Sequence, residues 1–557
     1  MKTEKPADRH RVTDAALLFG LILLSTLPNL SRLGFYCDDW SYLAEFYQNS
    51  SHRFGAEFLE FSQSDPSMTV RPVQVTYLLL AFKSFGMDPL PYHVVNAVIL
   101  GLVTVCLYFT LNEVRVERWL AFTIALTFGL LPHYSTDRFW TSSQQATLCV
   151  AFALAGIYAL SRSARLEEPR PKQWLAVAVL ALALSILSYE VALGLIVASV
   201  GLIAWRRYQD SRTSSTHNID GFRGIAIAVG ALFLLGIFKI CMQKRLALHH
   251  YFLTRLGALT WHAIIQAVRF NLWTYGLHMG SVLVSLRRYS AFSSAAVITA
   301  TIVAFVTAAY LWRFMECSAI PDRHNSLRLI LVGFVIFGLG FALLFPSLDV
   351  DFCTPGLYNH MAIASAIGAS FVTVAIASLA CSFLKSKAAR ALAFSLMIGL
   401  ISGVNSLVVS GITFFWADAA SQQAAILKSV TNHVSSPPRR SVLLLDGFCR
   451  YSGPGAVFEA RSDVTGALQL AFHDDSFSAD IISASTRFTD TSVDTTGYGQ
   501  LNGDYPYDDH LFVYNVRQQI ITTLSSKQFA SAYLRAMNPT GDSGCPVGRD
   551  GYGTKIF

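Results

Sequence analysis

The chain has 557 residues, of which 53% are hydrophobic and only 14% are charged, and its mean hydropathy is +0.43. Soluble domains carry about a quarter charged residues, so this composition excludes a single soluble globule. The formal net charge of +7 does not indicate a nucleic-acid partner, because the Lys and Arg residues are scattered through short loops, as the positive-inside rule predicts.

Apolar runs recur along the chain, and a helix needs about 20 such residues to cross a bilayer. The predicted spans are 13–30, 92–111, 118–132, 143–161, 173–188, 190–205, 223–242, 291–312, 328–346, 360–384 and 389–413. The first run leads into Pro28-Asn29 and Arg32 rather than a small-residue cleavage site, which predicts an uncleaved anchor. The sequence thus predicts an all-α polytopic membrane protein with about 11 transmembrane helices.

Loop charge predicts the orientation of these spans. Lys and Arg recur in alternate loops, whereas the turns at 187–191 and 347–359 contain neither. The N-terminus is therefore predicted to be cytoplasmic, and an odd number of spans places residues 414–557 outside.

Three outward regions follow from this orientation. Residues 31–90 and 243–290 mix polar and apolar residues at helical spacing, which predicts helices lying in the membrane interface. Residues 414–557 are rich in Asp, Ser, Thr and Gly, and are predicted to form a small soluble α/β domain. Within it, 441–447 and 511–516 are predicted strands and 467–472 a short helix.

Cys37-Asp38-Asp39-Trp40 follows the first span. Two adjacent carboxylates repel each other, and partial burial makes ionising both more costly. A functional role is one interpretation of the pair. The alternative is that an Asp only caps an interfacial helix beginning at Trp40.

Four of the nine cysteines are predicted to face outward. Cys449 and Cys545 share the C-terminal domain, so a disulfide between them is predicted. A disulfide between Cys37 and Cys353 is a second, more speculative pairing. The sequence has no CxxC motif and no Cys/His metal-ligand spacing.

A series of short motifs accompanies the Asp pair. They are Arg71-Pro72 before a helix ending in Phe85-Gly86, Tyr92-His93-Val94-Val95-Asn96, Pro132-His133 with Trp140, and Ser188-Tyr189-Glu190. In order and sidedness, residues 10–410 resemble the GT-C superfamily of polyprenyl-phosphate-sugar-dependent glycosyltransferases, which includes protein mannosyltransferases and the aminoarabinose transferase of lipid A. The resemblance implies a GT-C transmembrane catalytic domain over 1–413.

The resemblance also implies a mechanism. An Asp of the first outward loop would act as general base while a sugar passes, with inversion, from a polyprenyl phosphate to an acceptor hydroxyl. Asp38 or Asp39 would be this base, with Asp38 slightly favoured. Arg71 would bind the donor phosphate, because a guanidinium fork matches phosphate oxygens.

The remaining candidates have weaker support from the motifs. Arg138, Arg255, Arg269 and His360 are further candidates for the phosphate site. Glu190, Tyr189, His133 and Trp40 are candidates for acceptor contact or structural pairing, and Glu190 is expected to pair with a cation such as Arg138. Many relatives have Lys where this chain has Tyr189, and Arg where it has Tyr358-Asn359-His360.

The implied partners are a polyprenyl-phosphate-linked sugar, membrane lipids and a glycan, lipid or protein acceptor. The implied location is the plasma (bacterial inner) membrane, with the active site and C-terminal domain on the periplasmic or extracellular side. No cofactor is expected to be obligatory. Asp38 and Asp39 could supply oxygens to a divalent cation, but the other outward carboxylates are not suitably spaced, so a metal site is not favoured.

Two other functions fit the composition. A transporter or lipid flippase would explain the hydrophobicity, although transporters usually carry ionisable residues in the middle of their spans. A non-catalytic scaffold of envelope assembly is the third possibility, and the intact Asp pair argues against it.

Overall fold

The computed structural model describes most of the chain. The described residues are 6–49, 53–165, 168–213, 220–245, 265, 267–315, 320–341, 357–434, 438–483, 486–497 and 500–537.

Each predicted span overlaps a helix, and residues 342–346 of the span 328–346 lie outside the described residues. The helices up to residue 433 are α1 (Pro6–Thr26), α2 (Asp38–Gln48), α3 (Phe54–Ser64), α4 (Pro66–Thr69), α5 (Pro72–Phe85), α6 (Pro89–Glu113), α7 (Arg118–Leu130), α8 (Gln144–Ser163), α9 (Pro171–Ser188), α10 (Leu193–Thr213), α11 (Asp220–Arg245), α12 (Met279–Arg288), α13 (Ser294–Phe314), α14 (Arg323–Phe341), α15 (Ile363–Cys381) and α16 (Lys387–His433). Among the described residues, eight helices are long and apolar enough to cross a membrane, namely α6, α8, α9, α11, α13, α14, α15 and α16. The prediction of a polytopic helical membrane protein is confirmed.

Short helical turns join these helices at one end of the bundle. The 3₁₀ turns are Leu30–Arg32, Pro132–Arg138, Thr141–Ser143 and Leu357–Ala362, and a π-helical turn covers Arg269–Leu277. Asn359 connects the turn Leu357–Ala362 to the turn Pro132–Arg138. Its Oδ1 accepts from the Thr136 N–H at 2.9 Å and its Nδ2 donates to Ser135 Oγ at 2.9 Å. Loops predicted to share one side of the membrane therefore meet in space.

The first region predicted to face outward, 31–90, contains helices, as predicted. Helices α2, α3 and α5 pack around a small aromatic and aliphatic core of their own, which contains Phe46, Phe61, Val75 and Leu79. Of the second region, 243–290, the structure describes 243–245, 265 and the second half, 267–290, where the π-helical turn leads into α12.

Helix α16 is longer than the span predicted inside it. Its 47 residues correspond to about 70 Å at 1.5 Å per residue, whereas a bilayer core is about 30 Å thick. The part after residue 413 continues into the C-terminal domain. There Gln423 Nε2 donates to the Val457 carbonyl at 2.6 Å. The Trp416 carbonyl accepts from Tyr36 Oη, just before α2, at 2.7 Å.

The C-terminal residues form an α/β domain, which confirms that part of the fold prediction. Its elements are β1 (Val442–Asp446), β2 (Tyr451–Ser452), β3 (Gly455–Ala456), α17 (Arg461–Phe472), β4 (Ser478–Ile481), β5 (Arg487–Phe488), β6 (Ser492–Gly497), β7 (Gln500–Pro506), β8 (Leu511–Asn515), β9 (Ile520–Thr523) and α18 (Lys527–Met537). The main sheet has the order β4-β1-β8-β9, with β1 parallel to both neighbours and β9 antiparallel to β8. A second sheet, β5-β6-β7, is antiparallel.

Helix α17 packs directly against α2, so the C-terminal domain contacts the helix that carries Asp38 and Asp39. Gly466 of α17 makes this approach possible, because a Cβ added there would lie 2.5 Å from the Trp40 carbonyl oxygen. Such a distance is a clash with main chain, so any side chain at position 466 would push the two helices apart.

The cysteines correct one prediction. Cys37 is a free, buried thiol, so the suggested disulfide between Cys37 and Cys353 is wrong. Cys449 is disulfide-bonded. Cys545 lies outside the described residues, and its pairing with Cys449 stays a prediction.

Candidate active site

The structure gives the two aspartates different environments. Asp39 is 3% exposed and turns into the protein. Its carboxylate accepts from the main-chain N–H groups of Tyr36 at 3.1 Å, Thr141 at 3.3 Å and Ser142 at 2.7 Å, and from the Ser142 hydroxyl. Asp39 thus connects the start of α2 to the turn before α8 by hydrogen bonds. Burial raises its pKa to about 6, although these hydrogen bonds oppose the shift.

Asp38 instead opens onto a cavity of about 390 Å³. No side chain or main-chain N–H of the described residues donates to its carboxylate. Burial raises the pKa of Asp38 to about 7, with further contributions from the negative charges of Glu459, Asp39 and Asp65. A carboxylate with a pKa near neutrality, and without a structural hydrogen bond, is suited to accept a proton from a ligand.

The alternative in which an Asp caps a helix that begins at Trp40 is wrong. Helix α2 begins at Asp38 rather than at Trp40, and its N-cap residue is Cys37, which makes no side-chain capping bond. Both aspartates lie in the first turn, where a negative charge is stabilised by the helix dipole.

The different environments predict different effects on stability. We expect Asp39→Ala to lower the free energy of unfolding by about 2–4 kcal/mol, because three buried N–H groups would lose their acceptor. Asp38→Ala is the matched control and should change stability by less than about 1 kcal/mol. Thermal unfolding of the two purified variants in detergent, followed by tryptophan fluorescence, measures the difference. Equal melting temperatures would contradict the structural role of Asp39.

The cavity beside Asp38, here called the Asp38 cavity, is polar on most sides. It is lined by α2, by the segment around α4, by the starts of α5 and α8, and by Ser462 of the C-terminal domain. Four of its lining atoms are buried without a hydrogen-bond partner among the described residues: Arg71 Nε, Gln74 Oε1, Trp140 Nε1 and Gln145 Oε1. An unpaired buried polar group costs about 1–3 kcal/mol, so a ligand that pairs with these atoms would gain binding energy.

Arg71 is the cation of this cavity. It precedes Pro72, which starts α5 at the first helical position. Its guanidinium lies over the Tyr189 ring at 4.6 Å from the ring centroid, and Nη2 is 3.8 Å from Glu190 Oε2. Tyr189 and Glu190 therefore position Arg71, and its buried Nε has no hydrogen-bond partner among the described residues.

Glu190 holds a second cation, Lys239. Lys239 Nζ donates to Glu190 Oε1 at 2.6 Å and to the Ile186 carbonyl at 2.5 Å. Burial alone would raise the pKa of Glu190, but Arg71 and Lys239 outweigh it and hold the pKa below its usual value. With Glu190 ionised, the Arg71, Lys239 and Glu190 group carries a net positive charge at this side of the site.

Sequence reasoning missed Lys239. The signal was present, because Lys239 is an ionisable residue within the apolar run 223–242 and such residues are costly in a membrane span unless they are paired. Glu190 pairs with cations, as expected, but its partners are Arg71 and Lys239 and not Arg138.

The other predicted phosphate ligands do not join Arg71. Arg138 is buried and donates to the main-chain carbonyls of Gly129 at 2.6 Å and Leu131 at 3.5 Å, and it lines a separate small cavity with His93. Burial lowers the pKa of Arg138. Arg269 is exposed at the start of the π-helical turn. Arg255 lies outside the described residues.

His360 lies close to the cavity wall. Its ring packs edge-on against Trp140 at 5.5 Å and lies 6.5 Å from the Tyr189 ring. Its Nδ1 is 2.7 Å from the Leu357 carbonyl. Because a carbonyl only accepts, Nδ1 must carry the proton in this bond, and Nε2 is the atom that remains for other partners.

The remaining candidates are packed as structural residues. His133 is 3% exposed, and its ring lies against Tyr275 with centroids 5.1 Å apart. Trp40 packs edge-on against Phe35 at 5.9 Å, and its main chain contacts Gly466. Among the described residues, no group of three or more His, Cys, Asp or Glu side chains is placed to hold a metal ion.

No protein-family model and no curated protein sequence matches this chain. Among solved structures, it is similar to ArnT from Cupriavidus metallidurans in the apo state, with 13% sequence identity, 79% of this chain and 83% of that chain covered, and a TM-score of 0.33. The structure of the same protein bound to undecaprenyl phosphate has 13% identity and a TM-score of 0.33, with 84% of this chain and 89% of that chain covered. We base the function on the residues of the cavity.

Proposed function

We propose that this protein is an inverting GT-C glycosyltransferase that moves a monosaccharide from a polyprenyl-phosphate donor to an acceptor on the outer face of the membrane. The observation that carries the proposal is that the Asp38 carboxylate and the Arg71 guanidinium line one polar cavity at the end of a membrane helix bundle. A base and a phosphate-binding cation are the two groups that such a transfer needs.

Asp38 is the general base in this proposal. Its carboxylate accepts the proton of the acceptor hydroxyl as that oxygen attacks the anomeric carbon of the donor sugar. The bond between the anomeric carbon and the phosphate oxygen breaks, and the polyprenyl phosphate leaves with the bonding electrons. Asp39 does not take part, because its oxygens are occupied by the N–H groups that fix α2.

Arg71 binds the phosphate of the donor. Its position at the boundary between the helix bundle and the cavity suits a ligand whose lipid tail stays in the membrane while its head group reaches Asp38. Phosphate is already a competent leaving group, so a fixed cation that stabilises its developing charge is sufficient. Lys239 and Tyr189 act through Arg71 and Glu190 as positioning residues.

Donor chemistry and loop charge support an outward location. Nucleotide sugars are confined to the cytoplasm, so a transferase on the outer face needs a lipid-linked donor. The Lys- and Arg-free turn at 187–191 contributes Glu190 to this end of the bundle. A transporter is less well supported, because Asp38, Arg71 and Glu190 lie outside the helices that are long and apolar enough to span.

Reconstitution tests the proposed function. Purified protein in lipid vesicles is supplied with radiolabelled polyprenyl-phosphate hexoses and pentoses and with an envelope glycan fraction from cells lacking the protein. We expect label to pass from the chloroform-soluble donor into the glycan fraction, with free polyprenyl phosphate as the second product. Movement of the labelled lipid across the vesicle membrane without any glycosyl product would overturn the proposal in favour of a flippase.

A further inference from the structure

A groove of about 810 Å³ lies between α2 and the C-terminal domain. Its walls are formed by Glu45 and Gln48 of α2, Glu60 of α3, Arg461 and Gln469 of α17, and Asp475. This volume lies within the range of about 300–1,000 Å³ that small-molecule sites occupy. We call it the α2–α17 groove.

The groove is continuous with the Asp38 cavity. Ser41, Glu45 and Ser462 line both. A ligand lying in the groove can therefore extend one end past Ser41 towards Asp38, which lies one helical turn earlier on α2. The lipid donor, by contrast, must approach from the helix bundle, where Arg71 lies. The α2–α17 groove and the side of the Asp38 cavity at Arg71 therefore suit two different substrates.

The chemistry of the groove suits a hydroxyl-rich ligand. Its named walls carry carboxylates, amides and one guanidinium and no aromatic or long aliphatic side chain, so an acyl chain would find little apolar surface there. Amide groups donate hydrogen bonds to sugar hydroxyls and accept them, and ionised carboxylates accept them. Three of the charged side chains are acidic (Glu45, Glu60 and Asp475), and the guanidinium of Arg461 lies over the Tyr505 ring at 5.7 Å.

We propose that the α2–α17 groove binds the acceptor, and that the acceptor is a non-anionic oligosaccharide, either neutral or bearing amino sugars. This inference rests on the proposed function and names the substrate class of the same site. Three carboxylates against one guanidinium disfavour a phosphorylated or otherwise acidic acceptor, because like charges at close range cost binding energy. The C-terminal domain then has a direct role, since α17 forms one wall of the acceptor site.

Binding and transfer are measured separately to test this inference. The full-length protein in nanodiscs, without donor, is titrated with neutral and amino-sugar oligosaccharides of two to six units and with a phosphorylated disaccharide of the lipid A type. We expect the non-anionic probes to bind and the phosphorylated one to bind at least tenfold more weakly. Tighter binding of the phosphorylated probe, or no binding of any oligosaccharide, would overturn the proposal.

A blocking variant ties the binding to the groove. Gln48 is exposed and forms only a 3.3 Å bond to Gln469 across the groove, so Gln48→Trp should fill this space and raise the acceptor dissociation constant at least tenfold. Gln518→Trp, at an exposed turn after β8, is the matched control and should have no effect. Equal acceptor binding by the two variants would place the acceptor elsewhere.

A charge variant keeps the inference testable if the tryptophan disturbs folding. Glu60→Lys combined with Asp475→Lys, both at exposed positions, should reverse the preference so that the phosphorylated probe binds more tightly than the neutral ones. An unchanged preference for the neutral probes would contradict the proposal that the groove binds the acceptor. If sugar transfer from the donor proceeds while these variants bind acceptor like the wild type, the groove assignment fails and the proposed function stands.

Discussion

Replacing Asp38 with asparagine is expected to reduce sugar transfer by about 10²- to 10⁴-fold, the usual contribution of a general base. Asparagine keeps the shape of the side chain and removes the proton-accepting carboxylate. Initial rates of label transfer in reconstituted vesicles, at saturating donor and acceptor, measure the loss. The melting temperature should stay close to that of the wild type, because none of the residues that the structure describes donates a hydrogen bond to the Asp38 carboxylate.

The pH dependence gives a second readout of the same role. A general base must be ionised, and burial raises the pKa of Asp38 to about 7. Activity should therefore be full above this pH and fall about tenfold per pH unit below it, and this acid limb should be absent from the residual activity of Asp38→Asn. If Asp39→Asn loses the chemistry at unchanged stability while Asp38→Asn keeps it, the assignment of the base is reversed.

Replacing Arg71 with glutamine is expected to reduce kcat/KM for the donor by about 10²- to 10³-fold, the effect of removing one fixed group that stabilises developing charge. Glutamine still donates hydrogen bonds but carries no charge to hold the phosphate. Glu190 keeps Lys239 as a partner, with a contact of 2.6 Å, so the loss should not come from an unpaired carboxylate. Transfer rates measured over a range of donor concentrations test this expectation.

Two variants serve as controls for Arg71. Arg71→Lys retains the charge without the planar fork, so its loss should be smaller than that of Arg71→Gln. Arg269→Gln changes an exposed guanidinium at the start of the π-helical turn and should leave donor kinetics unchanged. Equal losses in Arg71→Gln and Arg269→Gln would mean that the phosphate is held by general surface charge rather than by Arg71.

Comparing the predicted and observed ends of the helices shows which features a local sequence pattern can predict. Each apolar run corresponds to a helix because hydropathy is a local property that the bilayer imposes on every span. Helix α16 extends beyond its apolar run because residues such as Ala419, Ala424 and Ala425 favour the helical conformation without being strongly apolar. The predicted helix 467–472 begins earlier, at Arg461, because the Asp463 carboxylate accepts from the N–H groups of Glu459 and Ala460.

The short strands of the C-terminal domain were harder to predict. Strand β1 is an apolar run and was predicted within one residue of its observed start, Val442. Strands β5, β6 and β7 are polar and partly exposed, so their pairing depends on neighbours far along the chain and leaves little periodic signal.

The sequence by itself determined the membrane class, the approximate spans, the α/β character of the C-terminal domain and the position of the Asp pair beside the first span. These follow from local composition, because each span and each strand of the core is marked by its own residues. Tertiary structure alone decided that Asp39 is a structural acceptor and Asp38 opens onto the cavity. It also decided that Glu190 pairs with Arg71 and Lys239, and that α17 faces α2 across a groove. These features depend on contacts between residues separated by 50 to several hundred positions, which no local pattern encodes.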